Sequence, residues 1–185
     1  MACRCGHQRS DHIVPVDQIR FHPSLHEISR QQISALFGCP DLDTSDRASI
    51  ARAFSRLNLD LSHLKACDCF SESCSQRCEI ASTNDWVLLA LLWDNCVTEI
   101  HDHEDSECGF TVLEGELEET RYAVVKGTRV REIAKRRLTP GTSGTSNLKA
   151  IHRLATLPGK RAMSLHAYCP ALDLEGMNVY QTDKS

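Results

Sequence analysis

Residues 86–134 read WVLLALLWDNCVTEIHDHEDSECGFTVLEGELEETRYAVVKGTRVREIA and carry the strongest structural pattern of the chain. They open with a short apolar run from Trp86 to Trp93, which is typical of a buried strand. Four further short runs follow, and Lys126-Gly127 lies between two of them as a hairpin turn does. Many short strands joined by tight turns are typical of an antiparallel barrel or sandwich.

Two more strands are predicted toward the C-terminus. They are KAIHRLAT at 149–156 and RAMSLHAY at 161–168, joined through Leu157-Pro158-Gly159-Lys160. The TPGTSGTSN segment at 139–147 is instead rich in turn-forming residues and predicts a loop. We therefore expect a mostly β barrel core over residues 86–170.

The first 60 residues have a helical pattern instead. Ser24 and Glu27 form a capping box, and apolar residues then recur at helical spacing until Gly38. The apolar face of this predicted helix consists of Leu25, Ile28, Ile33, Leu36 and Phe37.

A second helix is predicted from about Asp46 to Leu57, because the acidic residue suits a helix N-terminus. Its apolar face consists of Ile50, Phe54 and Leu57. Two helices are too few to form a domain of their own. We therefore expect one domain over residues 1–185, with a helical front of residues 1–60 packed outside the barrel.

Composition excludes several classes of protein. The chain has 185 residues, of which 41% are apolar and 25% charged, and this suits a folded domain rather than a disordered chain. Its net charge of −4 gives no reason to expect nucleic acid or an anionic membrane as a partner. The longest apolar run, Trp86 to Trp93, is far shorter than the roughly 20 residues of a membrane span. The opening MACRCGHQRSDH lacks the apolar core of a secretory signal.

Charge is segregated along the predicted strands. The stretch from Asp94 to Thr120 is acidic and contains no Lys or Arg, whereas Arg121 to Arg137 is mostly basic. We interpret the two stretches as solvated strand faces that pair with each other, and assign no nucleic-acid role to Lys135-Arg136-Arg137.

Ten cysteines and nine histidines make a metal site worth seeking. Without a visible export signal, we expect a cytoplasmic, monomeric protein with most thiols reduced. One group of cysteines has a spacing that is not that of a standard zinc finger: Cys67, Cys69, Cys74 and Cys78. A structural zinc ion there, with Cys3, Cys5 and His7 as further ligands, stays open beside the alternative of reduced, partly buried thiols.

The sequence Ile100-His101-Asp102-His103 is the strongest local motif. If it forms a strand, His101 and His103 project from one face, because side chains alternate along a strand. A third histidine, His152, lies in a later predicted strand that barrel closure can bring to the first two. Imidazole nitrogens are borderline ligands that suit iron, zinc or copper.

The RAMSLHAY strand alternates cleanly between its two faces. One face carries Ala162, Ser164, His166 and Tyr168, and the other carries Met163, Leu165 and Ala167. Tyrosine and histidine that alternate with small residues are unusual on a solvent face. We therefore predict that the first face lines a pocket.

The run from Trp93 to Tyr122 resembles the core motif of the cysteine dioxygenases, which are cupin-fold thiol dioxygenases. In that family an Ile-His-Asp-His motif and a later His-Arg pair supply three iron ligands. The matching positions here are His101, His103, Gly115 at the hairpin, His152-Arg153 and Ser164-Leu165-His166-Ala167-Tyr168. The resemblance implies a cupin fold (a small antiparallel β-barrel or jelly roll), with the N-terminal helices packed outside and Fe(II) as cofactor.

The resemblance also implies an activity and catalytic residues. The activity is oxidation of L-cysteine by O2 to cysteine sulfinic acid, a reaction of cysteine catabolism and taurine biosynthesis. Cys108 and Tyr168 match a pair that the family joins by a thioether bond. Tyr168 is expected on the pocket wall, with His166 orienting its hydroxyl group and Ser164 tuning the histidine.

The substrate carboxylate is held in the family by the arginine of a Tyr-x-Arg sequence. The corresponding stretch here is Ser73–Cys78, in which the tyrosine is missing and Arg77 is the counterpart. Arg153 is a poorer choice, since it neighbours His152 on a strand and faces away from it. The segment Asp94–Glu99 also departs from the family, because it is one residue shorter and has no glycine.

Several alternatives stay open. The enzyme can act on another small thiol acid, such as 3-mercaptopropionate, and Arg77 can be an ordinary surface residue. The chain can also be a zinc enzyme or a non-enzymatic cupin, because three histidines suit zinc as well as iron.

Overall fold

The computed structural model describes residues 16–37, 39, 42–43, 46–62, 64, 75–146, 149–172 and 177–183. A short 3-10 helix spans Val16–Gln18, and the α-helices are α1 (Glu27–Phe37) and α2 (Arg47–Phe54). The strands are β1 (Arg20–Phe21), β2 (Ser75–Ser82), β3 (Val87–Asp94), β4 (Ile100–His101), β5 (Glu107–Gly115), β6 (Leu117–Lys126), β7 (Arg129–Leu138), β8 (Ser143–Ser146), β9 (Ile151–Thr156), β10 (Arg161–Cys169) and β11 (Val179–Thr182).

The strands form two sheets. The first has the order β1-β2-β3-β10-β5-β8, and the second closes into a barrel in the order β11-β4-β9-β6-β7. Neighbouring strands are antiparallel except for β11 and β7, which run parallel. The predicted mostly β, barrel-forming architecture is therefore confirmed.

The two faces of the first sheet bury different partners. Along β3, Leu88 and Ala90 join the apolar cluster of the helices, whereas Leu89, Leu91 and Trp93 join a cluster that includes residues of the second sheet. An aromatic group anchors the helices to the first face: Phe37 stacks on Trp86 at 5.2 Å between ring centroids, and Phe54 meets the same ring at 4.8 Å. The helices thus pack outside the sheets, as predicted.

The first helix begins later than the capping box predicts. Ser24 lies in a turn in which the backbone N–H of Leu25 donates to the carbonyl of His22 at 3.0 Å, and α1 starts at Glu27. Ile28 was predicted on the apolar face but is 72% exposed, whereas Ile33 is fully buried. The two residues are five positions apart, which places them about 140° apart around a helix.

The second helix starts as predicted and ends earlier. The Asp46 carboxylate caps it by accepting from the backbone N–H of Ala48 at 3.0 Å. The helix ends at Phe54, although Leu57 is still buried. The turn of the β6–β7 hairpin lies at Gly127-Thr128, one residue beyond the predicted position.

Part of the predicted 139–147 loop is a strand. Residues Ser143–Ser146 form β8 and pair with β5, with Gly144 opposite Phe110. Small residues at this position let β8 lie against the Phe110 ring, since a Cβ on Gly144 would come within 3.1 Å of it.

The oppositely charged stretches pair as predicted where β6 meets β7. Lys135 lies 3.1 Å from Glu118, and Arg137 lies 3.6 Å from Glu116. These ion pairs are exposed or partly buried. Glu119 is the exception, because it is only 1% exposed.

Most of the cysteines proposed as zinc ligands lie outside the described residues: Cys3, Cys5, Cys67, Cys69 and Cys74, together with His7. Within the described part of the chain, Cys39, Cys108 and Cys169 are free thiols, and Cys96 is disulfide-bonded. No helix among the described residues is long and apolar enough to cross a membrane.

α2 packs so closely against Gly109 that no larger side chain fits at this position. A substitution at Gly109 therefore tests how α2 packs on the sheet. A Cβ at this position of β5 would lie 1.8 Å from the carbonyl oxygen of Ala51 in α2, so the helix would have to move. We expect Gly109→Ala to lower the free energy of unfolding by about 3 kcal/mol, as overpacking of a core does. In the control Gly127→Ala, no atom lies within 4 Å, and a positive φ of 56° is the only obstacle. Urea unfolding that ranks the control as equally damaging would contradict this packing.

Candidate metal centre

Three buried histidines converge between the two sheets. His101 ends β4, His103 follows two residues later, and His152 lies in β9 directly opposite His101. One ring nitrogen from each lies within 4.8 Å of the others. The structure therefore brings together all three predicted ligands.

The motif predicts that the first two histidines share a strand, but the structure shows that they do not. β4 ends at His101, so His103 does not belong to the strand. The side chain of Asp102 holds this segment instead, since it accepts from the backbone N–H of Glu104 at 3.1 Å and from the Tyr180 hydroxyl at 2.7 Å. Tyr180 lies in β11, so the last strand fixes the position of His103.

The Nδ1 atoms of the three rings differ from one another in their hydrogen-bond partners. His101 donates from Nδ1 to the carbonyl of Glu99 at 2.9 Å, and His152 donates from Nδ1 to the Glu119 carboxylate at 3.0 Å. His103 Nδ1 is buried and has no partner among the described residues. The Nε2 atoms of His103 and His152 face each other at 3.2 Å, and a cation between them would satisfy both lone pairs.

The protonation state of the cluster suits a metal. Burial lowers the pKa of His101 to about 4 and that of His103 to about 2. Both rings are therefore neutral at pH 7, which is the form that binds metals. A buried set of three imidazoles fits a divalent iron, zinc or copper ion.

Glu119 is a site residue that the sequence reasoning missed. It lies in β6, and Arg136 and Arg121 pair with its second oxygen, Arg121 at 3.3 Å. Although burial raises the pKa of Glu119, its hydrogen bonds to His152 and Arg136 lower it to about 2. Its position in an acidic run indicated a solvated face. Its burial could have been predicted from its spacing of two residues from Leu117, because residues two apart share a face of a strand and Leu117 is buried.

The predicted polar face of β10 is buried. Ser164 accepts a hydrogen bond from the indole N–H of Trp93 at 2.8 Å and contacts Nε2 of His166 at 3.0 Å. The His166 ring lies between Phe110 and Tyr168, nearly parallel to both. Ser164 thus holds His166, and the nitrogen of His166 that is bonded faces Ser164 rather than the Tyr168 hydroxyl. Burial lowers the pKa of His166 to about 3, so this ring is also neutral.

Cys108 and Tyr168 are direct neighbours. They are opposite each other in the β5–β10 pairing, and both are buried. Burial raises the pKa of the Cys108 thiol to about 12 and that of Tyr168 well above 10. The edge of the Tyr168 ring also contacts His103 at 5.3 Å between centroids. The pair therefore borders the three histidines.

A cavity of about 260 Å³ opens beside the histidines. Its polar wall includes Arg77, His101, His152, His166 and Tyr168. Its remaining wall is mostly apolar and includes Leu89, Leu91, Trp93, Leu154, Met177 and Val179. This volume is below the range typical of drug-sized ligands, so the cavity suits a small molecule.

Arg77 reaches this cavity from β2. It pairs with Leu91 in the register of β2 and β3 and is partly buried. Its positive charge lowers the pKa of Tyr168 against the larger effect of burial, and both residues line the cavity. Arg77 therefore lies on the same cavity as two of the histidines, while Arg153 does not line it.

Solved structures with related folds are distant in sequence. KdgF from Halomonas sp. is 25% identical, with 54% of this chain and 82% of that chain covered and a TM-score of 0.43. A conserved double-stranded β-helix protein from Klebsiella pneumoniae is 16% identical over 60% of this chain and 82% of its own, with a TM-score of 0.47. The capsular polysaccharide assembling protein CapF from Staphylococcus aureus is 13% identical over 60% of this chain and 33% of its own, with a TM-score of 0.51.

The match to a family model is more extensive than these structural likenesses. The model described as cysteine dioxygenase type I matches residues 31–182, which include α2, both sheets from β2 onward and all three histidines. The resemblance of the chain to this family is thereby confirmed. The chain belongs to the cysteine dioxygenase type I family.

Proposed function

We propose that this protein is a non-haem iron dioxygenase that oxidises L-cysteine with O2 to cysteine sulfinic acid. The observation that supports this best is that two of the three buried, converging histidines border the same small cavity as Arg77 and Tyr168. A metal site, a cation and a hydroxyl group on one small cavity suit a small thiol that carries a carboxylate. Membership of the cysteine dioxygenase family supports the same reaction.

His101, His103 and His152 would hold the iron. Fe(II), when bound, supplies open coordination positions for a thiolate and for dioxygen. An imidazole ligand brings no negative charge of its own, so the positive charge of the site favours an anionic thiolate over a neutral thiol. The apolar walls of the cavity, among them Leu89 and Leu154, limit access of water.

The substrate carboxylate is assigned to Arg77. A guanidinium group can donate two parallel hydrogen bonds to a carboxylate, which orients the substrate as well as holding it. Tyr168 is assigned the role of an uncharged hydrogen-bond donor. Because burial keeps its hydroxyl protonated, it can donate a hydrogen bond within the cavity. His166 and Ser164 hold the Tyr168 ring in place by stacking and by hydrogen bonding.

A thioether bond between Cys108 and Tyr168 is expected to form during turnover. The thiol S–H and the ring C–H beside the phenol oxygen would lose two protons and two electrons to dioxygen as the carbon–sulfur bond forms. The direct pairing of the two residues supplies the proximity that this step needs. Mass spectrometry of protein incubated with Fe(II), L-cysteine and O2 should find a loss of two hydrogens and a peptide that joins Cys108 to Tyr168.

The same bond is expected to assist catalysis rather than to enable it, since neither residue is a ligand. Cys108→Ser should retain the metal and part of the activity. Cys169→Ser, which removes another buried thiol of the same region, is the matched control and should still form the cross-link. Complete alkylation of Cys108 after many turnovers would exclude the bond.

A second substrate class is favoured by one observation. The position two residues before Arg77 is Ser75, where the family has an aromatic residue. A pocket without that ring can accept another small thiol acid, such as 3-mercaptopropionate. Zinc in place of iron is a further alternative, because the donor set suits both metals.

The test is aerobic incubation of the purified protein with Fe(II) and either L-cysteine or 3-mercaptopropionate, followed by product identification. Cysteine sulfinic acid as the main product, with zinc-loaded protein inactive, is the expected result. Preferential oxidation of 3-mercaptopropionate would replace the substrate assignment. No oxidation of either thiol would overturn the proposal.

A further inference from the structure

Glu119 is an unusual residue to find in this part of the fold. It belongs to an acidic run, yet its side chain is only 1% exposed and lies against His152. Taking a carboxylate out of water is costly unless its oxygens are well paired. Both oxygens are paired here, one with His152 and the other with Arg136 and Arg121.

The barrel supplies these partners from three adjacent strands. Glu119 lies in β6, Arg136 is its direct partner in β7, and His152 lies in β9 on the other side of β6. The carboxylate is therefore held on one side by a guanidinium and directed on the other side at a ring nitrogen. Arg136 also lies over the Phe110 ring at 5.9 Å, which anchors it in turn.

The contact decides which nitrogen of His152 carries the hydrogen. A carboxylate can only accept, so Nδ1 of His152 must be the donor, which leaves Nε2 as the nitrogen that can bind a metal. That Nε2 atom is the one that faces His103 at 3.2 Å, in the centre of the cluster. An anionic acceptor also makes the imidazole a stronger ligand than a neutral acceptor does.

The other two histidines lack such a partner. His101 donates to a backbone carbonyl, and Nδ1 of His103 has no partner among the described residues. Asp102 lies between them in sequence, but its carboxylate accepts hydrogen bonds from Tyr180 in β11 and from Asn178, the residue that precedes β11. The negative charge at the cluster therefore acts through His152.

We propose that Glu119 is a positioning residue that fixes the orientation and tautomer of His152 and strengthens it as a metal ligand, with Arg136 holding the carboxylate. This inference rests on the proposed metal site and extends it to residues that do not face the cavity. Partners of this kind typically change metal affinity by about 10- to 100-fold.

The test measures metal affinity rather than turnover. Fe(II) and Co(II) are titrated anaerobically into metal-free wild-type protein, Glu119→Gln and Glu119→Ala. Glu119→Ala should bind each metal about 10- to 100-fold more weakly, and Glu119→Gln, which keeps an acceptor but loses the charge, should lie between. The control is Glu118→Gln, the next residue, whose carboxylate pairs with Lys135 and should not affect affinity.

Two further measurements separate positioning from general damage. Circular dichroism of the metal-free proteins tests whether each variant is folded. If Glu119→Ala does not fold, the metal affinity of Glu119→Gln provides the test instead. In Glu119→Ala, the Arg136 guanidinium loses the carboxylate with which it pairs. The double variant Glu119→Ala/Arg136→Ala removes this unpaired positive charge as well. The proposal expects the double variant to bind metal as weakly as Glu119→Ala.

The outcomes distinguish this inference from the function on which it rests. Wild-type affinity in folded Glu119→Ala and Glu119→Gln, or its recovery in the double variant, would overturn the role of Glu119 and leave the metal site intact. A wild-type protein that binds neither metal would overturn the proposed function itself, and this inference with it.

Discussion

Alanine in place of His101, His103 or His152 is expected to remove the bound metal and all thiol oxidation. Each residue is one of only three protein ligands in the proposed site, so two remaining imidazoles would not hold the ion. Metal content and activity are measured together on each variant. His26→Ala, which changes an exposed histidine of the front segment, is the control and should behave as wild type.

The three variants should differ in stability even though they agree in activity. His103→Ala removes a ring whose Nδ1 has no partner among the described residues and whose Nε2 faces His152, so it leaves no buried charge without its partner. His152→Ala leaves the buried Glu119 carboxylate without its imidazole donor and should cost about 1–3 kcal/mol more. Full metal content in His152→Ala would rule out its assignment as a ligand.

Arg77→Ala is expected to separate two thiols that differ in one group. L-cysteine has a carboxylate and cysteamine does not, so only L-cysteine can lose a hydrogen bond to this residue. Loss of a charge-assisted hydrogen bond costs about 1.5–3 kcal/mol, so kcat/KM for L-cysteine should fall by about tenfold to more than a hundredfold. The value for cysteamine should change little.

Two controls define the role of Arg77. Arg77→Lys keeps the charge but loses the planar pair of donors, and it should recover only part of the L-cysteine activity. Arg161→Ala changes an exposed arginine that pairs with Asp94 at 2.6 Å, and it should affect neither thiol. Equal losses on both thiols in Arg77→Ala would place the side chain outside the substrate site.

Local sequence predicted the elements whose pattern is strong. The apolar run that ends at Trp93 became β3, and the alternation of RAMSLHAY became β10 with Ser164, His166 and Tyr168 buried on one face. Both patterns report burial directly, because the side chains of a strand alternate between two environments. Membership of the family follows from motifs in the same segments.

Features that depend on distant residues could not be predicted in this way. His103 lies beyond its strand and is positioned by Asp102, whose carboxylate binds Tyr180, 78 residues away. β11 has no distinctive sequence pattern, and it forms only because β4 and β7 offer it two edges. Burial of Glu119 likewise requires Arg136 from the next strand, since an unpaired carboxylate there would be unstable.

Helix ends were also poorly specified by local signals. Ser24 and Glu27 have the spacing of a capping box, yet Ser24 lies in the turn that follows β1. The helix buries Ser29 and Ile33, and Ile33 belongs to the apolar cluster that includes residues of the first sheet. Tertiary packing thus outweighed a local preference that contributes only about 1 kcal/mol.

The central claim is that the three-histidine site transfers both atoms of dioxygen to the sulfur of a small thiol. The most direct measurement is single-turnover oxidation of L-cysteine under 18O2 by the Fe(II)-loaded protein, with mass analysis of the product. We expect cysteine sulfinic acid in which both new oxygens are labelled, and no product from His101→Ala. Cystine, or a sulfinic acid labelled at one oxygen or neither in the absence of exchange with water, would contradict it.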